Sequence, residues 1–298
     1  MQTSELLTAE AAARVKQIEF FARTQVEGFL KGANQSKLKG VSAEFMQHRE
    51  YQHGDDLRHL DWRVFARTDR LVTREFEEFT NLDVILALDF SGSMGYGDEP
   101  MSKMDFALHW SALLGYLFNL RIDRFALAHC TDEVGSYLPP GNGKIHLAEF
   151  FRHLVTLPVG GETRLERCAD LLLQRVRRRS IIILLSDCYQ EPETITKSIG
   201  RLRLRGHDVI LYQVVHENEK DLDFTGFTLF RDLETNQVDA ADPLEIREAY
   251  REVVAEHCHE LKTGAARFGI DYHQITVTQN WDLVLAALLQ ERVTRNQS

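Results

Sequence analysis

Hard oxygen donors gather at three points in the chain, each beside a turn or an apolar run. In DVILALDFSGSMG (residues 83–95) the apolar stretch Val84 to Leu88 gives way abruptly to Asp89, Ser91 and Ser93, punctuated by Gly92 and Gly95. Gly160-Gly161-Glu162-Thr163 offers a hydroxyl behind two glycines that permit close backbone approach. SIIILLSD (residues 180–187) ends, like the first run, in an aspartate, Asp187. Carboxylates and hydroxyls suit Mg²⁺, Mn²⁺ or Ca²⁺ and suit soft metals poorly. If the two apolar runs are neighbouring strands, Asp89 and Asp187 reach the same sheet edge. With Ser91, Ser93 and Thr163 they make an oxygen-only, partly hydrated Mg²⁺ site whose open position would take an acidic side chain from another protein. The plainer reading is that Asp89 and Thr163 cap the helices that follow them. A chemical alternative makes Asp89 a nucleophile beside Mg²⁺ in phosphoryl transfer or hydrolysis.

The elements around these residues must bring them together. Val84 to Leu88 reads as a strand buried on both faces, and the carboxyl edge of a central strand is where ligands bind in open α/β sheets. Met104, Ala107, Leu108, Ser111, Leu114 and Phe118 give a helical face, and FALAHC (125–130) a strand. Helices are predicted at 144–157, 163–178 and 192–205, with strands at 180–187 and 208–215. This alternation implies right-handed crossovers and a doubly wound, mostly parallel α/β sheet covered on both faces. Beyond residue 216 the pattern predicts a hairpin around Thr235, Asn236 and Gln237. A long helix then opens at Asp242-Pro243-Leu244-Glu245 and stops at Gly269. A strand at 270–277 and a last helix from Trp281 complete this part.

The N-terminal region is less regular. Thr8 is placed to cap a helix that ends at Gly32, residues 33–41 read as a polar loop, and 71–79 as a strand feeding the central one. Residues 1–80 are predicted to pack as a helical, signature-bearing extension on a main domain over 81–298. Asp55, Asp56, Arg58, Asp61, Trp62, Arg63 and Arg67 read as a structural lock of Arg–carboxylate pairs about a buried Trp, with a partner surface as the alternative.

Composition narrows the classes of function. The 298 residues carry 35 basic and 45 acidic side chains, a net charge of -10. That balance argues against sequence-independent nucleic-acid binding and against an anionic membrane as partner. No apolar segment is long enough for a membrane span, and the N-terminus lacks a secretory pattern. Cys130, Cys168, Cys188 and Cys258 are far apart in sequence, which reads as reduced, apolar cysteine in a cytoplasmic protein. Arg175 and Arg177 to Arg179, then Arg201, Arg203 and Arg205, fall near predicted helix C-termini, where the dipole favours cations. His257-Cys258-His259 has no second ligand pair, and adjacent helical residues do not share a face.

DxSxS after a buried strand, a Thr in a Gly-Gly-x-Thr loop and a later strand-end Asp resemble the metal-ion-dependent adhesion site of von Willebrand factor A-type domains. The stretch HREYQHGDDLRHLDWRVFARTDRLVTREFEEF and the tail RDLETNQVDAADPLEIREAYREV are similar to the bacterial family called domain of unknown function 58. That resemblance implies an A-type domain in which Ser91, Ser93 and Thr163 are hydroxyl ligands and Asp89 and Asp187 act directly or through water. It also implies a MoxR-type AAA+ ATPase as partner in the assembly or maturation of other proteins. Two features depart from the pattern: Cys188 stands where many A-type domains have glycine, and the transmembrane helices of many family members have no counterpart here. Haloacid-dehalogenase-type phosphatases resemble the chain less, because Ser91 occupies the position of their second carboxylate. The sequence thus predicts a non-enzymatic, metal-dependent interaction module, with Asp89 as a metal anchor.

Overall fold

The computed structural model describes residues 9–35, 47–50, 72–75, 82–97, 100–131, 136–156, 160, 164–222, 224, 226–233 and 237–296. Thr163 and the cluster from Asp55 to Arg67 lie outside these residues, as do Thr235 and Asn236 of the predicted hairpin turn. Contacts group the chain into two units, Met1–Arg23 with Leu82–Gln279 and Thr24–Asn81 with Asn280–Ser298.

In the second unit, β1 (Gln47–Glu50) and β2 (Val72–Glu75) pair antiparallel as a two-stranded sheet. Of the stretch predicted as a strand at 71–79, the described residues are those of β2, and their partner is β1. The N-terminal helix α1 (Ala9–Gln35) starts where the sequence placed it but runs past Gly32 to Gln35. A single glycine costs a helix only about 1 kcal/mol, too little to end it alone. Within the first unit, α1 is tied down by Arg14, which donates to Asp105 at 3.0 Å, and by Phe21, edge-on to His109.

Among the described residues, six strands form the main sheet in the order β10-β7-β6-β3-β4-β5. Their spans are β3 (Asp83–Asp89), β4 (Phe125–Cys130), β5 (Tyr137–Gly141), β6 (Ser180–Ser186), β7 (Asp208–Val215) and β10 (Asp271–Thr276). All neighbours run parallel except β5, which is antiparallel to β4. The predicted doubly wound, mostly parallel fold is what forms. β5 escaped sequence reading because Pro139 and Pro140 sit inside it. Proline removes a ladder donor and is tolerated at a sheet edge, which is where β5 lies.

Alternation along the strands assigns the two faces of the sheet. Ile85 and Ala87, with Ala126, Ala128, Ile182 and Leu184, pack under α4 (Leu165–Arg175), α5 (Pro192–Leu204) and the C-terminal part of α7 (Pro243–Phe268). Opposite-parity residues meet α2 (Lys103–Leu120) and α3 (Gly143–Thr156), with Trp110 edge-on to Tyr212 and Phe125 to Phe150. The remaining elements are the short α6 (Glu217–Asp221), the hairpin β8 (Thr228–Arg231) and β9 (Val238–Ala241), and α8 (Trp281–Asn296). Asp242 caps α7 by accepting from Leu244 N at 3.0 Å, and Gly269 closes it in the left-handed region at φ 68°.

One sequence expectation changes here. Cys130 and Cys168 form a disulfide between the end of β4 and α4, so these two are not isolated reduced cysteines. Parity explains the pairing: Cys130 points to the same face as Ala126 and Ala128, against which α4 packs. Arg175, Arg201 and Arg203 do fall in the last turns of their helices, and three of the arginines also make ion pairs. Arg201 meets Asp170 at 2.7 Å, while Arg179 and Arg203 both engage Asp208.

Gly115 lets α2 pack closely on α3, since a Cβ there would lie 2.5 Å from the buried Phe150 ring. Alanine gains roughly 1 kcal/mol of helix propensity over glycine, whereas overpacking costs typically 1–3 kcal/mol. The ring has little freedom to yield, being edge-on to both Phe125 and Phe151. Gly115→Ala is expected to destabilise the chain by about 1–2 kcal/mol, read as a lower urea midpoint at unchanged m value.

Candidate functional site

The chain leaves β3 for β4 on one side and returns to β6 on the other, so the carboxyl ends of β3 and β6 form the topological switch point of the sheet. Ligands bind at such points in open α/β sheets. The parallel register sets Leu88 beside Leu185, which makes Asp89 and Ser186 the next lateral pair. Ser186 Oγ donates to Asp89 Oδ2 at 2.6 Å, and Ser91 N donates to Oδ1 at 2.8 Å. Both carboxylate oxygens are thereby oriented. The chain then turns through a short 3₁₀ segment, Gly92–Gly95, that places Ser91 Oγ and Ser93 Oγ 3.0 Å apart.

Asp187 lies one residue past β6, buried like Asp89. Its Oδ2 accepts from Lys103 Nζ at 2.9 Å, and its carbonyl accepts from Gln213 Nε2 at 3.3 Å. Cys188 occupies the left-handed region at φ 60°, the conformation that glycine adopts most easily. Neighbours hold it there: Cys188 N donates to Ser186 Oγ at 3.0 Å, and His257 Nε2 lies 2.7 Å from its carbonyl. The departure from glycine noted in the sequence is thus accommodated by the backbone. His257 and Cys258 both have structural partners, since Cys258 Sγ donates to Gln213.

The described residues on either side of Thr163 are tied to this edge. Gly160 N donates to Phe90 O at 3.1 Å, and the first amide of α4, Leu165 N, donates to Gln190 Oε1 at 3.1 Å. Both ends of the segment containing Thr163 are therefore fastened beside β3 and the Asp187 loop. The structure brings together Asp89, Ser91 and Ser93, and couples Asp187 electrostatically to Asp89.

Electrostatics mark the same place. Burial, then the charge of Asp187, push the Asp89 carboxyl up to about 6, with the Ser186 and Ser91 hydrogen bonds pulling back. Burial, then the charges of Asp187 and Asp89, raise the Cys188 thiol well above its ordinary range. His129, buried on β4, is driven down to about 3 by burial and by His153, which keeps it neutral.

The donors suit a hard cation. Two cis ligands of an octahedral Mg²⁺ bound at its usual 2.0–2.1 Å lie about 3 Å apart, and the Ser91 and Ser93 hydroxyls stand at 3.0 Å. Among the described residues no three His, Cys, Asp or Glu side chains converge as metal ligands, so a metal here would rely on hydroxyls.

Three residues at this edge were not singled out in the sequence: Ser186, which lies inside the strand predicted at 180–187, Lys103 and Glu219. Only Ser186, one position before Asp187, was open to inference, from strand parity alone.

Residues 47–260 match the family described as Protein of unknown function DUF58. The chain belongs to the DUF58 family. The uncharacterized protein Rv1480 of Mycobacterium tuberculosis is 24% identical over 275 residues, which cover 91% of this chain and 86% of that protein. Among solved structures, the conserved hypothetical protein BatB from Bacteroides thetaiotaomicron aligns with 73% of this chain and 100% of its own, at 18% identity and a TM-score of 0.46. The SpRpn10 VWA domain aligns with 67% of this chain and 91% of its own, at 11% identity and a TM-score of 0.42. No helix among the described residues is long and apolar enough to cross a membrane.

A raised carboxyl stabilises the fold only while protonated. The contribution of Asp89 is complete below its unfolded value of 3.8 and is lost as pH rises through about 6. Asparagine keeps the shape and does not titrate. In EDTA, the stability difference between Asp89→Asn and wild type should move in favour of the variant by up to roughly 3 kcal/mol between about pH 4 and pH 7. Urea unfolding across that range checks it. A difference that stays flat would mean that no buried charge develops at Asp89.

Proposed function

We propose that this DUF58 chain is a non-enzymatic, metal-dependent protein-interaction module. A divalent cation, Mg²⁺ with Mn²⁺ or Ca²⁺ as substitutes, is held by Asp89, Ser91, Ser93, Thr163 and Asp187, directly or through water. An Asp or Glu of a partner protein completes the coordination. The observation that carries this reading is the pair of hydroxyls at 3.0 Å in front of a buried carboxylate whose two oxygens are already oriented. The metal supplies Lewis acidity toward an incoming carboxylate. The chain's own residues position the hydroxyls, bury the charge and keep the edge acidic.

The wider resemblance supplies the class of partner. A MoxR-type AAA+ ATPase acting with this module in protein assembly or maturation fits an overall acidic chain that would meet its partner through one metal-bridged carboxylate. The absence of a carboxylate at Ser91 supports an anchoring role for Asp89, since a phosphoryl-transfer site of the haloacid-dehalogenase type would want its acid/base there.

Isothermal titration with Mg²⁺ and Mn²⁺ tests the metal half. Wild type should bind one ion, and Asp89→Ala and Ser91→Ala should each weaken binding at least tenfold; equal binding by all three would sink the site assignment. Binding to a purified MoxR-type ATPase, with and without EDTA, tests the other half. The complex should form with Mg²⁺ and be lost in EDTA, and a complex indifferent to EDTA would point to a scaffold that needs no metal.

A further inference from the structure

Lys103 is the first residue of α2 and is fully buried. A buried lysine needs partners, because desolvating an ammonium is expensive unless opposite charge and hydrogen bonds compensate. Here Nζ donates to Asp187 Oδ2 at 2.9 Å and to Glu219 Oε1 at 2.7 Å. It also lies over the Tyr189 ring, 4.5 Å from its centroid, with Tyr96 at 5.8 Å. The backbone fixes the residue as firmly as the side chain does. Lys103 N donates to Tyr96 O at 3.0 Å, just past the DxSxS turn, and Ser102 caps the helix by accepting from Asp105 N.

From these contacts we infer that Lys103 is a built-in counter-cation that competes with the divalent ion for Asp187 and so sets the affinity of the metal site. The inference rests on the metal reading above and deepens it. Asp89, Asp187 and Glu219 against one ammonium leave two net negative charges at this edge, the charge that a divalent cation neutralises. An ion that draws on Asp187 must displace or share the ammonium. Glu219 is the second carboxylate that can keep the lysine when Asp187 turns to metal. Glu219 is itself immobilised: its Oε2 accepts from His216 N at 3.1 Å, and its carbonyl accepts from Tyr250 OH at 2.6 Å. Occupancy of the metal site is thereby linked, through one side chain, to α6 and α7.

Two variants with opposite expected signs test the role. Lys103→Met removes the competitor, so Mg²⁺ and Mn²⁺ should bind roughly tenfold or more tightly by calorimetry, a modest demand on a unit charge a few ångströms away. In EDTA this variant should melt below wild type, because Asp187 and Glu219 lose their partner, and saturating Mg²⁺ should close most of that gap. Glu219→Gln leaves the ammonium to Asp187 alone and should weaken metal binding several-fold. General structural damage would weaken binding in both variants. Metal binding by folded Lys103→Met that is no tighter than wild type overturns the competition. Should Lys103→Met fail to fold, unchanged affinity in Glu219→Gln overturns it. Absence of binding by wild type and both variants overturns the metal reading and this inference with it.

Discussion

The register between β3 and β6 is the constraint on which the site depends. With Leu88 beside Leu185, Asp89 falls next to Ser186, and Asp187 emerges one residue later at the same edge. A slip of one residue would turn every side chain of a strand to the opposite face. It would send Ile85 and Ala87 away from α4 and α5, and swing Asp89 out of reach of Ser186. The core therefore enforces the register, and the register delivers the chemistry. The hydroxyls of Ser91 and Ser93 add little to folding, but their placement follows directly from where β3 is compelled to stop.

Charge burial is the second determinant. Burial first, and the neighbouring charge of Asp187 second, lower the tendency of Asp89 to ionise at the end of a hydrophobic sheet. Lys103 pairs with Asp187, while the Ser186 hydroxyl and the Ser91 amide orient Asp89. A buried ion pair of this kind seldom adds net stability over an apolar equivalent. Its presence at a switch point, with the lysine fixed between the DxSxS turn, the Asp187 loop and α6, fits a binding site better than a structural rivet.

Much of the fold was legible because hydrophobic period and length are local signals. FALAHC and DVILYQVV form strands over the spans their composition predicts, and SIIILLSD loses only its final aspartate to the loop. The helix from Pro243 to Phe268 begins and ends on its cap residues. What local pattern misread had a non-local cause. β5 tolerates Pro139 and Pro140 only because it is an edge strand, a status that no window of sequence reveals. Cys130 and Cys168 looked unrelated at a separation of 38 residues and meet because a strand and a helix share one face.

By itself, the sequence determined the alternation of strands and helices, and it marked Asp89, Ser91, Ser93, Thr163 and Asp187 by their positions at the ends of apolar runs or the start of a helix. It did so because a buried strand must end in residues that tolerate exposure and turning, and hard ligands are among these. Only the tertiary structure decided that Ser186 orients Asp89, that Gly160 N donates to Phe90 O, and that Lys103 reaches Asp187 and Glu219 across 84 and 116 residues of chain. These are contacts between side chains whose types are common everywhere in the sequence. Their meaning comes from burial, which makes a lysine between two carboxylates a costly and therefore informative arrangement, and burial is a property of the packed whole.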